Sequence, residues 1–170
     1  MSNKTLLEEF IAQSVIRLEE NTPRVKKCFA QLTDDQVWQR PNASSNSIGN
    51  LVLHLCGNMT QYILSGMGNH PDHRVRDDEF SATGGFTKEE LLNKLERTVS
   101  EASSIITRQT EKDLLRERKV QGLQITGVDI IIHVVEHYSY HTGQIAFWTK
   151  LLVNKDLGFY AGMDLNKKNE

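Results

Sequence analysis

The sequence has few of the residues that build covalently cross-linked or disordered proteins. Two cysteines, Cys28 and Cys56, are too few for a disulfide framework, and their spacing matches no CxxC metal or redox motif. Only three prolines and 38% hydrophobic residues are typical of a globular chain, and 170 residues are enough to bury a core. We therefore expect residues 1–170 to form a single domain.

An excess of charge of one sign and a long apolar run are also lacking. The formal net charge is −2, and scattered Lys and Arg side chains offer no general attraction to phosphate backbones or anionic lipid. No stretch approaches the ~18 apolar residues of a membrane span. The first residues, MSNKTLLEEF, carry acids where a signal peptide needs an apolar run. We expect a cytoplasmic protein that binds neither nucleic acid nor membrane.

Four segments have apolar residues at steps of three to four, which is the periodicity of a helix with one buried face. They cover approximately residues 4–32, with a kink or break at Pro23, and residues 48–65, 88–108 and 127–153. Four long helices without convincing β alternation predict an all-α fold, a four-helix bundle, in which metal and cofactor sites form between facing helices.

Local signals set the expected helix starts. Ser47 and Thr126 are good N-caps, and Thr87 with Glu90 matches a capping box after a charged, Gly-containing loop. Residues 113–124 have a mixed pattern, which favours an irregular or short extended excursion with Gly122 in its turn.

The residues most typical of chemistry are histidines on the last helix. His137 and His141 are four residues apart, so their side chains lie about 40° apart on the helical wheel and can reach one ion. His133 extends the series, but the drift across all three reaches about 80°, so one end histidine is expected to lie outside the ligand set. The spacing alone leaves open which one.

A further histidine, His54, lies inside the most apolar helix, in SIGNLVLHLCGNMTQYIL. On the wheel it shares one side with Asn50, Asn58 and Gln61. A lone histidine here would be interpreted as a core residue bonded to a neighbouring helix. The HxxxH pair favours a ligand instead. Cys56 points about 200° round the helix from His54, which makes it a poor ligand candidate.

Two other histidine patterns allow alternatives. The run HVVEH, residues 133–137, matches HxxEH, the metallopeptidase pattern in which Glu136 would be the general base. That interpretation needs a third ligand, and the few acids that follow lie in an expected tail. His70 and His73 lie in a loop with several acids and are interpreted as solvated, although a mobile loop can add a ligand or cover a site.

The segments NSIGNLVLHLCGN and HVVEHYSYHTGQIAFW, residues 46–58 and 133–148, resemble the DinB family of damage-inducible-type four-helix bundles, which includes bacterial thiol S-transferases. The resemblance covers nearly the whole chain. It implies that His54, His137 and His141 are the metal ligands and that His133 is not. Gly143 and Gln144 match the family's GQ, and Thr142 stands where arginine is common.

The resemblance also implies an unusual helix order and a homodimer. Three neutral imidazoles leave a coordination position open, which is typical of a catalytic metal, with Zn²⁺ or Ni²⁺ the expected ion. The predicted function is a metal-dependent thiol S-transferase or hydrolase acting on a small molecule, with a low-molecular-weight thiol as partner and Glu136 and Tyr140 near the ligands. The alternative is a non-enzymatic bundle that holds a metal or ligand.

Overall fold

The computed structural model describes residues 4–169. Its helices are α1 (Leu6–Glu19), α2 (Asn21–Phe29), α3 (Asp34–Trp38), α4 (Ile48–Met59), α5 (Arg76–Ser81), α6 (Lys88–Thr107), α7 (Glu111–Leu115) and α8 (Gly127–Val153). A π-helical segment, Thr60–Ser65, continues α4. Two short strands, β1 (Glu117–Val120) and β2 (Leu123–Thr126), lie between α7 and α8.

Six of the eight helices in the described residues begin at a serine or threonine N-cap, whereas α2 and α5 have no side-chain cap. Each N-cap hydroxyl accepts a hydrogen bond from the backbone N–H three residues later, and that residue's side chain bonds back to the N-cap backbone. This reciprocal pair confirms the predicted caps Ser47, Thr87 and Thr126. It also caps α1, α3 and α7 through Thr5, Thr33 and Thr110.

The predicted break in the first helical segment is confirmed near Pro23. The chain leaves α1 at Glu20 and re-enters a helix at Asn21. Pro23 lies in the first turn of α2, where a backbone N–H has no partner within the helix, so its missing donor costs nothing there.

The long helices form the four-helix bundle, and their order is not the simple up-and-down one. The α1–α2 segment packs against α6 and α8, and α4 packs against the same two helices. The first and second long segments therefore lie diagonally across the bundle, whereas consecutive helices are neighbours in an up-and-down bundle. The unusual order implied by the family resemblance is confirmed.

The second long segment is the centre of the core. Almost all of α4 is buried, including Val52 and Leu55 at 0% exposure, and Ile63 continues the buried surface. This agrees with a helix that is apolar nearly all round. Within residues 4–169, no helix combines the length and apolar character needed to cross a bilayer.

Five short elements lie outside the four predicted long helices, namely α3, α5, α7, β1 and β2. The mixed stretch contains a hairpin in which Val120 pairs with Leu123 across Gln121 and Gly122. Both turn residues have positive φ, 51° and 82°, as a two-residue hairpin turn requires, so the turn at Gly122 is confirmed. The helices α3 and α5 have only five and six residues, too few for a periodic pattern to be visible.

Candidate metal centre

Three histidines from two helices meet between α4 and α8. The Nε2 atom of His137 lies 3.1 Å from Nε2 of His54 and 3.1 Å from Nε2 of His141. His54 is 7% exposed and His141 is 9% exposed, and His137 is half-buried. The structure thus brings together the three histidines that the sequence selected, with one ring nitrogen of each facing the others.

The outer nitrogens of two of these rings are held by oxygen acceptors. Nδ1 of His54 lies 2.9 Å from Oε2 of Glu79, and Nδ1 of His141 lies 2.7 Å from Oε1 of Gln144. Nη2 of Arg74, which can only donate, also lies 3.2 Å from Nδ1 of His54, but the Glu79 carboxylate is nearer. A carboxylate and an amide oxygen can only accept, so these contacts favour the proton on each Nδ1. Both Nε2 atoms therefore present lone pairs towards His137.

His137 cannot satisfy both of these lone pairs. A neutral imidazole has one N–H, so its Nε2 can donate to one neighbour at most, and its buried Nδ1 has no hydrogen-bond partner. Protonating the ring is no remedy, because burial and the neighbouring histidines lower the pKa of His137 to about 3. Burial likewise lowers the pKa of His141. The lowered pKa values favour the neutral forms of His137 and His141, and His137 has too few protons to bond both of its neighbours.

The spacing of these donors suits a cation. Two nitrogens bound to a tetrahedral zinc ion at ~2.0–2.1 Å lie about 3.3 Å apart. The two shorter separations in the cluster are 3.1 Å, and the three ligand atoms all lie within 4.8 Å of one another. The three imidazoles therefore form a group that could hold one divalent ion.

An ion pair supports His54 from the side away from the cluster. Nε of Arg74 donates to Oε1 of Glu79 at 2.7 Å, and Nη2 of Arg74 donates to Oε2 at 2.9 Å. Burial by itself would raise the pKa of Glu79, but the hydrogen bonds and charge of Arg74 and the contact with His54 outweigh it, so the pKa lies below its ordinary value. Glu79 is held as a carboxylate that can accept from His54.

No pattern in the sequence identifies Arg74 and Glu79 as a pair. Glu79 lies on α5 and Arg74 in the loop before it, the segment interpreted as solvated. The available signal was chemical, because a ligand histidine needs an acceptor for its other ring nitrogen and this loop is rich in acids. Nothing local distinguished Glu79 from Asp72, Asp77 or Asp78.

The other histidines lie outside the cluster. Nε2 of His133 is 3.0 Å from Nδ2 of Asn58, and its ring stacks on Tyr62 with centroids 4.3 Å apart. The contact with the Asn58 amide therefore engages Nε2 of His133. His70 and His73 are exposed in the loop after α4. Of these three histidines, only His133 comes near the site, where its ring stacks on that of His137 with the ring centroids 5.3 Å apart.

The remaining candidates are placed as expected. Cys56 is buried, and burial raises the pKa of its thiol to about 11, so it is an inert core residue. Glu136 and Tyr140 line a solvent-open cavity of about 460 Å³ together with His133, His137 and Ser139. The hydroxyl of buried Thr142 has no partner, and the buried cation beside the cluster is Arg74.

The bundle order and the histidine cluster define a DinB-like fold, which known structures share. A DinB-like protein from Bacillus cereus ATCC 10987 superposes with a TM-score of 0.60 at 18% identity, covering 79% of this chain and 87% of that chain. A conserved protein from Enterococcus faecalis superposes with a TM-score of 0.69 at 17% identity, covering 85% of this chain and 97% of that chain. A DinB-like protein from Bacillus subtilis superposes with a TM-score of 0.65 at 17% identity, covering 85% of this chain and 94% of that chain.

The sequence itself identifies the family. Residues 5–161 match the family described as "Protein of unknown function (DUF1572)", and the chain belongs to it. This family is part of the DinB-like superfamily, which confirms the resemblance found in the sequence. No protein with a curated description matches the chain.

The lowered histidine pKa values predict that the metal-free protein loses stability in acid. Unfolded histidine titrates near ~6.5, whereas His137 in the fold titrates at about 3. As pH falls through this window the unfolded chain binds more protons than the folded one, so the free energy of unfolding decreases. Urea unfolding at a series of pH values, with chelator present, measures it.

The matched variants are His137→Gln and His70→Gln. His137→Gln should flatten the acid dependence, because it removes a buried group with a depressed pKa. His70→Gln changes an exposed loop residue and should leave the dependence as in the wild type. If the free energy of unfolding fell with decreasing pH equally steeply in His137→Gln and in the wild type, the expectation would be contradicted.

Proposed function

We propose that His54, His137 and His141 bind one divalent metal ion and that the protein is a metal-dependent transferase or hydrolase acting on a small molecule. The observation that carries the proposal is the convergence of three Nε2 atoms. In His54 and His141, Glu79 and Gln144 accept hydrogen bonds from Nδ1, which leaves the Nε2 lone pair free to bind a cation. A cation is the partner that all three lone pairs can share.

Imidazole nitrogens suit Zn²⁺ and Ni²⁺, as well as Cu²⁺ and Fe²⁺, and we take Zn²⁺ or Ni²⁺ as the expected ion. Three protein ligands leave a position open, and a metal bound in this way lowers the pKa of a bound water or thiol towards neutrality. The open position suits a catalytic site better than a structural one, which four protein ligands would close.

The chain's own residues supply a place for a substrate beside the ligands. The cavity of about 460 Å³ is within the range of small-molecule sites, and His137 lines it. Glu136 and Tyr140 are exposed there, so Glu136 can accept a proton and the Tyr140 hydroxyl can hydrogen-bond a substrate. The cavity suits a molecule the size of a low-molecular-weight thiol or a small electrophile.

An activity screen tests the catalytic part of the proposal. Tag-free protein loaded with Zn²⁺ or Ni²⁺ is incubated with a panel of low-molecular-weight thiols and monochlorobimane, and formation of the fluorescent conjugate is followed. We expect turnover that chelator abolishes, that added metal restores and that His137→Ala lacks. Turnover that persists at the same rate in chelator would contradict a metal-dependent reaction.

A non-enzymatic metal-holding or ligand-binding bundle is the second candidate, and one observation favours it. Within residues 4–169, Glu79 is the carboxylate hydrogen-bonded to the cluster, and His54 and Arg74 occupy both its oxygens. It is therefore not free to act as a general base. Metal binding without turnover across the thiol panel would support this candidate.

The assembly, the location and the single domain stay predictions. The outer face of α8 exposes apolar side chains at helical spacing, namely Ile132, Tyr140, Phe147 and Leu151. Such a face is compatible with the homodimer that the family resemblance implies.

A further inference from the structure

The Arg74–Glu79 ion pair is almost completely withdrawn from solvent. The Arg74 side chain is 3% exposed and that of Glu79 is 10% exposed. Removing two charges from water carries a desolvation cost that their attraction often fails to exceed, so a buried pair of this kind is weak evidence for a stabilising role. Its position beside His54 indicates another role.

Several further contacts hold the pair in one place. Nη1 of Arg74 donates to Oε1 of Gln61 at 2.9 Å, and Nε2 of Gln61 donates to Oδ2 of Asp72 at 2.9 Å. Gln61 lies in the π-helical segment that continues α4. The guanidinium is therefore oriented by α4 on one side and by its own loop on the other.

The helix backbone is also shaped to admit the pair. Gly57 is one turn after His54, and a Cβ there would collide with the Glu79 carboxylate and lie 2.9 Å from Nε of Arg74. A glycine at this position of an otherwise apolar helix lets both charged groups pack directly against α4.

We propose that Glu79, held in place by Arg74, selects the Nδ1–H tautomer of His54 and orients its ring so that the Nε2 lone pair faces His137 and His141. Either nitrogen of a free neutral imidazole can carry the proton. Without an acceptor at Nδ1, the proton can move to Nε2 and be donated to His137, which removes a lone pair from the cluster. Glu79 and Arg74 are thus positioning residues. Their effect on metal affinity rests on the proposed function, whereas their effect on the tautomer does not.

A double substitution separates this role from a structural one. Arg74→Met with Glu79→Leu replaces the buried pair by apolar side chains of similar volume, a change that is often neutral or stabilising for the fold. We expect the variant to keep its helical spectrum and melting temperature. We also expect about a 10–100-fold loss of Zn²⁺ affinity, the range usual for removing the partners that orient a metal ligand. Isothermal titration with Zn²⁺ gives the affinity.

The tautomer itself can be observed in the metal-free protein. Long-range ¹H–¹⁵N spectra at about pH 8.5, above the reference histidine pKa of ~6.5, distinguish Nδ1–H from Nε2–H. The His54 signals should show Nδ1–H in the wild type and a shift towards Nε2–H in the double variant. Glu79→Gln should recover most of the Nδ1–H form, because its amide oxygen still accepts. Asp77→Asn removes an acid from the same helix and should behave as the wild type.

Two results would overturn the inference. One is a double variant whose His54 remains the Nδ1–H tautomer, and the other is a double variant that binds Zn²⁺ as tightly as a zinc-binding wild type. If the wild type binds no zinc, the proposed function fails, but the tautomer measurement still decides the role of Glu79. The two failures are therefore distinguishable.

Discussion

Replacing His137 with alanine is expected to abolish stoichiometric binding of a divalent metal ion. His137 is the histidine whose Nε2 lies 3.1 Å from both of the others, so its loss leaves two donors with no nitrogen between them. The affinity should fall by more than about 100-fold, beyond the ~10–100-fold effects usual for residues that only support a ligand. His54→Ala and His141→Ala should have effects of the same order.

The measurement is the metal content of tag-free protein after desalting, together with titration by Zn²⁺ and Ni²⁺. Three matched variants serve as controls, namely His70→Ala, His73→Ala and His133→Ala, which remove histidines outside the cluster. These should retain the wild-type stoichiometry, provided that circular dichroism shows a folded chain. Full metal occupancy in His54→Ala would refute the assignment, as would loss of the metal in His133→Ala alone.

Removing the metal is expected to lower the melting temperature without unfolding the bundle. The core of α4, α6 and α8 is made of fully buried apolar side chains such as Leu55, Leu95 and Ile131, which pack without help from an ion. An ion that binds only the folded state adds RT ln(1 + [L]/Kd), about 2.7 kcal/mol at a hundred times Kd. For a chain of this size that corresponds to roughly 5–10 °C.

Thermal melting followed by circular dichroism, before and after chelation, tests this. The helical spectrum at 25 °C should be the same with and without metal, and adding Zn²⁺ back should restore the higher melting temperature. His137→Ala serves as the control, because its melting temperature should not respond to chelator. A wild-type chain that loses its helices on chelation would mean that the ion holds the bundle together, and this would favour the non-enzymatic candidate.

The sequence predicted most of the long helices because their signals are local. The caps at Ser47, Thr87 and Thr126 act through residues only three positions away. The burial of α4 follows from the apolar residues that it contains nearly all round. The short elements α3 and α5 and the strands carry too few residues for periodicity. Their form depends on what packs against them, so for residues 113–124 the sequence indicated only an irregular or short extended excursion with a turn at Gly122.

The histidine site divides in the same way. The four-residue spacing placed His137 on one face of α8 with both His133 and His141, and His54 lies on the polar stripe of an apolar helix, so the sequence by itself determined these candidates. The resemblance to the DinB family then selected His141 over His133. Only the tertiary structure placed the two helices face to face and set Nε2 of His137 within 3.1 Å of both neighbours. It alone brought Glu79, 25 residues after His54, to the other side of that ring. Contacts of this separation depend on how the chain packs, and no spacing rule in the sequence encodes them.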